Sequence, residues 1–76
     1  MITNKIKSLL SLKGLNFSNY ANHLEITRQS LNNKANREAY KIKDLIKLAE
    51  LTNTKLAFND KETGKTLIEF DKEDIK

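Results

Sequence analysis

The chain has 76 residues, 14 Lys and Arg against 10 Asp and Glu for a net charge of +4, and no cysteine. A chain this short makes one small domain and leaves no room for a core, an enclosed catalytic pocket and a sensing domain together. The cysteine count excludes disulfides and thiolate metal sites, no apolar run approaches the roughly 18 residues that span a bilayer, and Met1-Ile-Thr-Asn-Lys5 lacks the apolar block of a signal peptide.

Charge is unevenly placed. Residues 1–55 hold ten Lys and Arg against four Asp and Glu (+6), and residues 56–76 hold four against six (−2). A basic body favours a polyanionic partner, mainly through counterion release. A solvated lysine-rich surface is the plainer reading of the same composition.

The first helix is expected from about Thr3 or Asn4 to Lys13, with Ile2, Ile6, Leu9, Leu10 and Leu12 at roughly helical spacing. Gly14 ends it, because glycine accepts positive φ at little cost. Asn16 is the expected N-cap of a second helix, about Phe17 to Leu24, with Asn19 three residues later. Thr27 is the expected N-cap of a third, about Arg28 to Ala35, and residues 36–41 read as a loop. A fourth helix, about Ile42 to Thr52, has a wide apolar face of Ile42, Leu45, Ile46, Leu48, Ala49 and Leu51.

The period then changes from helical to alternating. Residues 55–71 read as a β-hairpin, with Leu56 and Phe58 on one strand, Thr66, Ile68 and Phe70 on the other, and Asp60-Lys-Glu-Thr-Gly64 as the turn. Both apolar sets fall on even numbers, so opposed residues must have an even sum to share a face. A sum of 124 satisfies this: Leu56 opposite Ile68, Phe58 opposite Thr66, and Lys55 opposite Glu69 on the other face. Residues 71–76 are expected as a frayed tail from which Ile75 docks at most. A lone two-stranded hairpin is barely stable in water, so this one must pack on the helices, pair with another chain, or both.

Residues 17–34 are the most informative stretch. Two short helices meet at a tight turn, with apolar Tyr20, Ala21, Leu24, Ile26 and Leu31 and a polar run Arg28-Gln29-Ser30 followed by Asn32-Asn33-Lys34. That is the pattern of a helix-turn-helix, in which one helix braces and the next lies in the DNA major groove. Ala21 is small where the helices cross, Ile26 and Leu31 anchor the turn and the second helix, and Thr27 satisfies its free amides. Arg bonds guanine O6 and N7, and Gln or Asn bonds adenine N6 and N7, in bidentate fashion. Ser18, Asn19, Lys34, Arg37, Lys41 and Lys43 are candidates for phosphate contacts, which fix register without carrying sequence information.

From Asn4 to about Leu56 the chain resembles the phage repressor/Cro-type helix-turn-helix family. The resemblance lies in Ala21, Leu24, Ile26, Thr27, Gln29 and Leu31, framed by Lys13-Gly14-Leu15 and Ile42-Lys-Asp-Leu-Ile46, and covers about two-thirds of the chain. It implies a mainly α fold, a four-helix repressor-like domain followed by the C-terminal hairpin, that binds operator DNA as a dimer. By the family's pattern Arg28, Gln29 and Asn33 match base-contacting positions. Asn32 and Ser30 are further candidates for base contacts, each with a phosphate or backbone role as its alternative. Lys41 and Lys43 stand where the fourth helix begins, which in the family faces the backbone. The chain departs from the family twice. Glu25 occupies a turn position usually held by glycine, where the backbone tends to be left-handed. Phe17 stands where the family often has a phosphate-bonding glutamine, and core packing is the stronger expectation for it.

No catalytic constellation is present. His23, the single histidine, is expected to be an exposed helix residue rather than a ligand or base. Thr63-Gly64-Lys65-Thr66 lacks the first glycine of a phosphate-binding loop and sits in a hairpin turn. The expected function is a cytoplasmic, sequence-specific transcription regulator, not an enzyme. It needs no cofactor, metal, small-molecule ligand or membrane, and is expected to act as a homodimer on a palindromic site. Leu56, Phe58, Ile68 and Phe70 are the expected dimer interface, with the fourth helix as the alternative. A protein-interaction module on the same scaffold, an antirepressor or an antitoxin, is the competing reading.

Overall fold

A computed structural model describes residues 1–75. Lys76, the end of the expected tail, lies outside the described residues. Four helices are followed by one antiparallel hairpin: α1 (Ile2–Leu12), α2 (Phe17–Leu24), α3 (Arg28–Arg37), α4 (Ile42–Thr52), β1 (Leu56–Asn59) and β2 (Thr66–Phe70), then a 3-10 turn at Lys72–Ile75. The helix boundaries match the sequence expectation within a residue or two. α3 runs two residues further than expected, so Asn36 and Arg37 belong to its last turn rather than to the loop.

Tyr20 and Leu31 are fully buried, with Ile6, Leu10, Phe17, Ala21 and Leu48 packed around them. Three residues counted on apolar faces point outward instead: Ile2, Leu12 and Ile42 are all exposed. Ile2 and Ile42 occupy the first position of their helices and Leu12 the last, where the apolar stripe runs past the edge of the core.

The N-caps form as the side-chain chemistry demands. Asn16 Oδ1 accepts from the Asn19 amide at 3.0 Å and Asn19 Oδ1 accepts from the Asn16 amide at 2.9 Å, a reciprocal capping box. Thr27 Oγ1 accepts from the Ser30 amide at 3.0 Å and so caps α3. α1 is capped from a distance. Its Thr3 amide donates to Glu38 Oε1 at 3.2 Å, which sets a carboxylate at the positive end of the helix. Thr3 Oγ1 donates to the Ala35 carbonyl at 3.0 Å and meets the Tyr40 hydroxyl at 2.8 Å, fastening α1 to the end of α3.

All four helices end alike. The amides of Leu15, Ile26, Ala39 and Thr54 return five residues to Leu10, Ala21, Lys34 and Ala49 at 2.8–3.1 Å, the six-to-one bond of a Schellman motif. The residue before each has positive φ: Gly14 at 71°, Glu25 at 60°, Glu38 at 50° and Asn53 at 55°. The left-handed turn expected at Glu25 is therefore present and carries a side chain.

The hairpin keeps its expected face but not its expected register. Leu56 opposes Phe70 and Phe58 opposes Ile68, and beyond a bulge Asn59 opposes Thr66. The turn imposes this slip. Asp60 Oδ1 accepts from the Glu62 and Thr63 amides at 2.9 and 3.1 Å, Gly64 has φ 76°, and the Asp60 amide closes on the Lys65 carbonyl at 2.7 Å. The Thr63 and Glu62 amides hold the Asp60 carboxyl below the usual carboxylate range. Closure at Asp60 and Lys65 has an odd sum, which alone would split the apolar set between two faces. Leu67, the extra residue of the bulge, restores the even sum and is itself exposed. Lys55 reaches Glu69 at 3.6 Å, but diagonally, since Ala57 stands directly opposite Glu69. The tail forms the 3-10 turn beside α4, with Ile75 half-buried.

Tyr20 closes the core by donating its hydroxyl to the Asp44 carbonyl at 2.8 Å. Burial, then the nearby Asp44 carboxylate and Tyr40, push its phenol above the ordinary value of 10.0. The folded state thus prefers the neutral phenol. Its contribution is complete below pH about 10 and is lost as the pH rises through the raised value. Tyr20→Phe should cost about 1–2 kcal/mol at neutral pH through the orphaned carbonyl and should flatten the alkaline limb of the stability profile, read by chemical denaturation. At the left-handed turn, Glu25→Gly should raise stability by up to about 1 kcal/mol, since glycine removes the steric cost and returns part of it as backbone entropy. Thermal denaturation measures that gain.

Candidate nucleic-acid interface

α3 presents its N-terminus and one flank to solvent. Arg28, Gln29, Ser30 and Asn33 are exposed, and Asn32 is half-buried beside them. Gln29 and Asn33, one turn apart, approach each other through Nε2 and Oδ1 at 3.5 Å, so both amides face the same way. The Ser30 hydroxyl accepts from Thr27 Oγ1 at 3.0 Å and belongs to the cap. α2 packs across α3, with Ala21 buried at the turn and Phe17 buried at the far end. Phe17 meets Tyr20 edge-on, with ring centroids 6.3 Å apart, which is the core role expected for it.

Arg28 does not extend from the tip of α3. Its Nη1 donates to Ser18 Oγ at 2.8 Å, and its guanidinium lies 5.7 Å from the Phe17 ring centroid. The side chain is laid back along α2, which joins Ser18 and Arg28 into one unit. Asn19 is exposed but its carbonyl oxygen serves the capping box, leaving its amide nitrogen outward.

The six candidates for phosphate contacts divide. Ser18, Asn19, Arg37, Lys41 and Lys43 are exposed. Lys34 has a structural partner as well: its ammonium is 3.0 Å from Asp44 Oδ2, half-buried, and holds α3 to the start of α4. Asp44 is buried at 7% exposure and also accepts from the Lys41 amide at 2.9 Å. A buried carboxylate needs such partners, and Lys34 supplies a charged one while staying partly exposed. The sequence shows Lys34 as one more cation, because nothing local marks Asp44 as buried. His23 also differs from expectation. It is half-buried, and its Nε2 lies 2.7 Å from Glu50 Oε1, bridging α2 to α4.

Leu56, Phe58, Ile68 and Phe70 share one hairpin face but not one environment. Leu56 looks onto Leu9, Leu45 and Leu48, and Phe70 lines a groove with Ile46 and Ala49. Phe58 and Ile68 lie nearer the turn and overhang the helices, 67% and 57% exposed. Phe58 and Phe70 stack edge-on at 6.0 Å, so the exposed half continues the docked half.

No family model, curated protein or solved structure matches the chain. Among the described residues no cluster of His, Cys, Asp and Glu has the geometry to hold a metal ion, and no helix is long and apolar enough to cross a membrane.

Lys34→Ala should lower stability by about 1–3 kcal/mol with no nucleic acid present, because a buried carboxylate loses its charged partner. Urea denaturation of the free protein checks this. A lysine serving only a phosphate would leave the midpoint unchanged.

Proposed function

We propose that this protein is a sequence-specific DNA-binding transcription regulator of the phage repressor/Cro type, acting by binding rather than catalysis in the cytoplasm. One observation carries the reading. A Thr27-capped helix, braced by α2 behind a tight turn, offers Gln29 and Asn33 together to solvent at one-turn spacing. In the major groove these amides would meet base edges, while Asn19, Arg37, Lys41 and Lys43 supply backbone contacts around them. The net charge of +6 over residues 1–55 supports a polyanionic partner.

The exposed Phe58 and Ile68 support a protein contact, and in this reading it is a second copy of the chain. Two copies joined through the hairpins would set two α3 helices against successive major grooves, about 34–36 Å apart. An antirepressor or antitoxin would use the same apolar face for a different protein.

Selection from random duplexes should return a palindromic site. Gln29→Ala and Asn33→Ala should each remove about 1–3 kcal/mol of discrimination at one base pair per half-site, measured by gel-shift competition. Binding without base preference in the wild type would sink the proposal. Phe58→Asp should convert a concentration-dependent dimer to a monomer in sedimentation equilibrium, with helical circular dichroism retained. An unchanged mass would move the interface off the hairpin.

A further inference from the structure

We infer that Lys7 and Arg28 together grip one DNA backbone phosphate over the Phe17 ring, which makes Arg28 a phosphate-binding residue and leaves base reading to Gln29 and Asn33. The inference rests on the DNA-binding reading above and assigns Lys7, on α1, to the interface.

Two cations from different helices converge on one aromatic ring. Lys7 Nζ lies 5.1 Å and the Arg28 guanidinium carbon 5.7 Å from the Phe17 ring centroid. They border a cavity of about 250 Å³ whose other walls are Leu10, Leu15, Asn16 and Phe17. No carboxylate lines it, and among the described residues neither cation takes part in an ion pair. The ring's negative face attracts both charges, but their mutual repulsion is met by no protein anion. A phosphodiester oxygen in that cavity would be approached by both cations at once. The amides of the first turn of α2, behind the Asn16 cap, add partial positive charge on the same side.

Arg28 is also committed by its other contact. Ser18 Oγ occupies one guanidinium N–H at 2.8 Å, and of the five donors a guanidinium carries the rest remain for a phosphate. Reaching a guanine edge would forfeit both the Ser18 bond and the Phe17 stack. Reaching the backbone beside α2 forfeits neither. Lys7 and Arg28 are both exposed, so replacing either leaves the core intact.

The test compares wild type, Lys7→Gln, Arg28→Gln and the double variant on a panel of duplexes recovered by selection, across a series of salt concentrations, with thermal melts confirming the fold. Each single variant should weaken binding by the same factor on every duplex, leave their order of preference unchanged, and flatten the slope of log K against log salt by up to about 0.9. The double variant should lose less than the product of the two single factors, because both cations serve one phosphate. Reordered base preference in Arg28→Gln, or unchanged affinity and slope in Lys7→Gln, overturns the inference and leaves the DNA-binding reading standing. A wild type that binds no duplex at any salt concentration removes both.

Discussion

The junction at Asp44 governs how the helices are set. Its carbonyl accepts the Tyr20 hydroxyl from α2, and its carboxylate accepts the Lys34 ammonium from α3 and the Lys41 amide at the start of α4. One residue therefore fixes three helices with three hydrogen bonds, in a region where an unmet polar group costs most. Apolar packing of Leu10, Ala21 and Leu31 brings the helices together, but such packing tolerates small rotations. The directional bonds to Asp44 remove that freedom. Thr3 adds a second anchor at the same C-terminal end of α3, where Ala35, Glu38 and Tyr40 meet the start of α1. The C-terminal half of α3 is thus fixed by directional bonds on two sides, while buried Leu31 holds the middle of the helix to the core.

The helix ends are a second constraint, and they are strained. Four consecutive Schellman terminations turn the chain sharply enough to pack four helices into 52 residues, yet only the first uses glycine. Glu25, Glu38 and Asn53 each accept a left-handed backbone at a cost of about 1–2 kcal/mol for a residue with a Cβ, somewhat less for asparagine. At Glu38 the side chain gives a reason, since its carboxylate caps α1. At Glu25, between the two helices that carry the candidate interface, the carboxylate makes no such bond among the described residues. The strain persists because Ile26 anchors the next residue and closes the six-to-one bond on Ala21.

What could be read from sequence follows from the range of the interactions. Helix spans, the Asn16 and Thr27 caps and the Gly14 end depend on residues within a few positions of each other, and the chain states them directly; the left-handed Glu25 is expected only from the family resemblance. The even-sum rule also survived, since it expresses which residues must share a face rather than how the turn closes. Asp60's hold on the Glu62 and Thr63 amides then shifted the register by two and placed the bulge at Leu67. Thr3 with Tyr40 and Lys34 with Asp44 were not legible, because contacts separated by 37 and 10 residues leave no periodic trace. The same applies to Arg28. Its position at the start of α3 matches a base reader, whereas Ser18 and Phe17, ten and eleven residues earlier, draw it onto α2.

α4 connects the two surfaces that matter for the proposed function. Its N-terminal turn holds Asp44, which locks α3, and further along it Ile46 and Ala49 line a groove with Phe70 of β2, while β1 packs against the helix. An 11-residue helix is about 16 Å long, and its hydrogen-bonded backbone resists bending far more than a loop does. The exposed face of α3 and the overhanging Phe58–Ile68 pair are therefore referred to one stiff rod, with the exposed Lys55–Glu69 pair lying 3.6 Å apart beside the hairpin's root. If two hairpins join, the separation of the two α3 helices is inherited from this rod and from the register that the Asp60 turn imposes. A register shifted back by two would leave the apolar face intact but move Ile68 toward the root, withdrawing it from any partner while Phe58 stayed. The bulge at Leu67 thus does more than repair parity: it keeps Phe58 and Ile68 opposite one another at the exposed end, as one contiguous apolar patch.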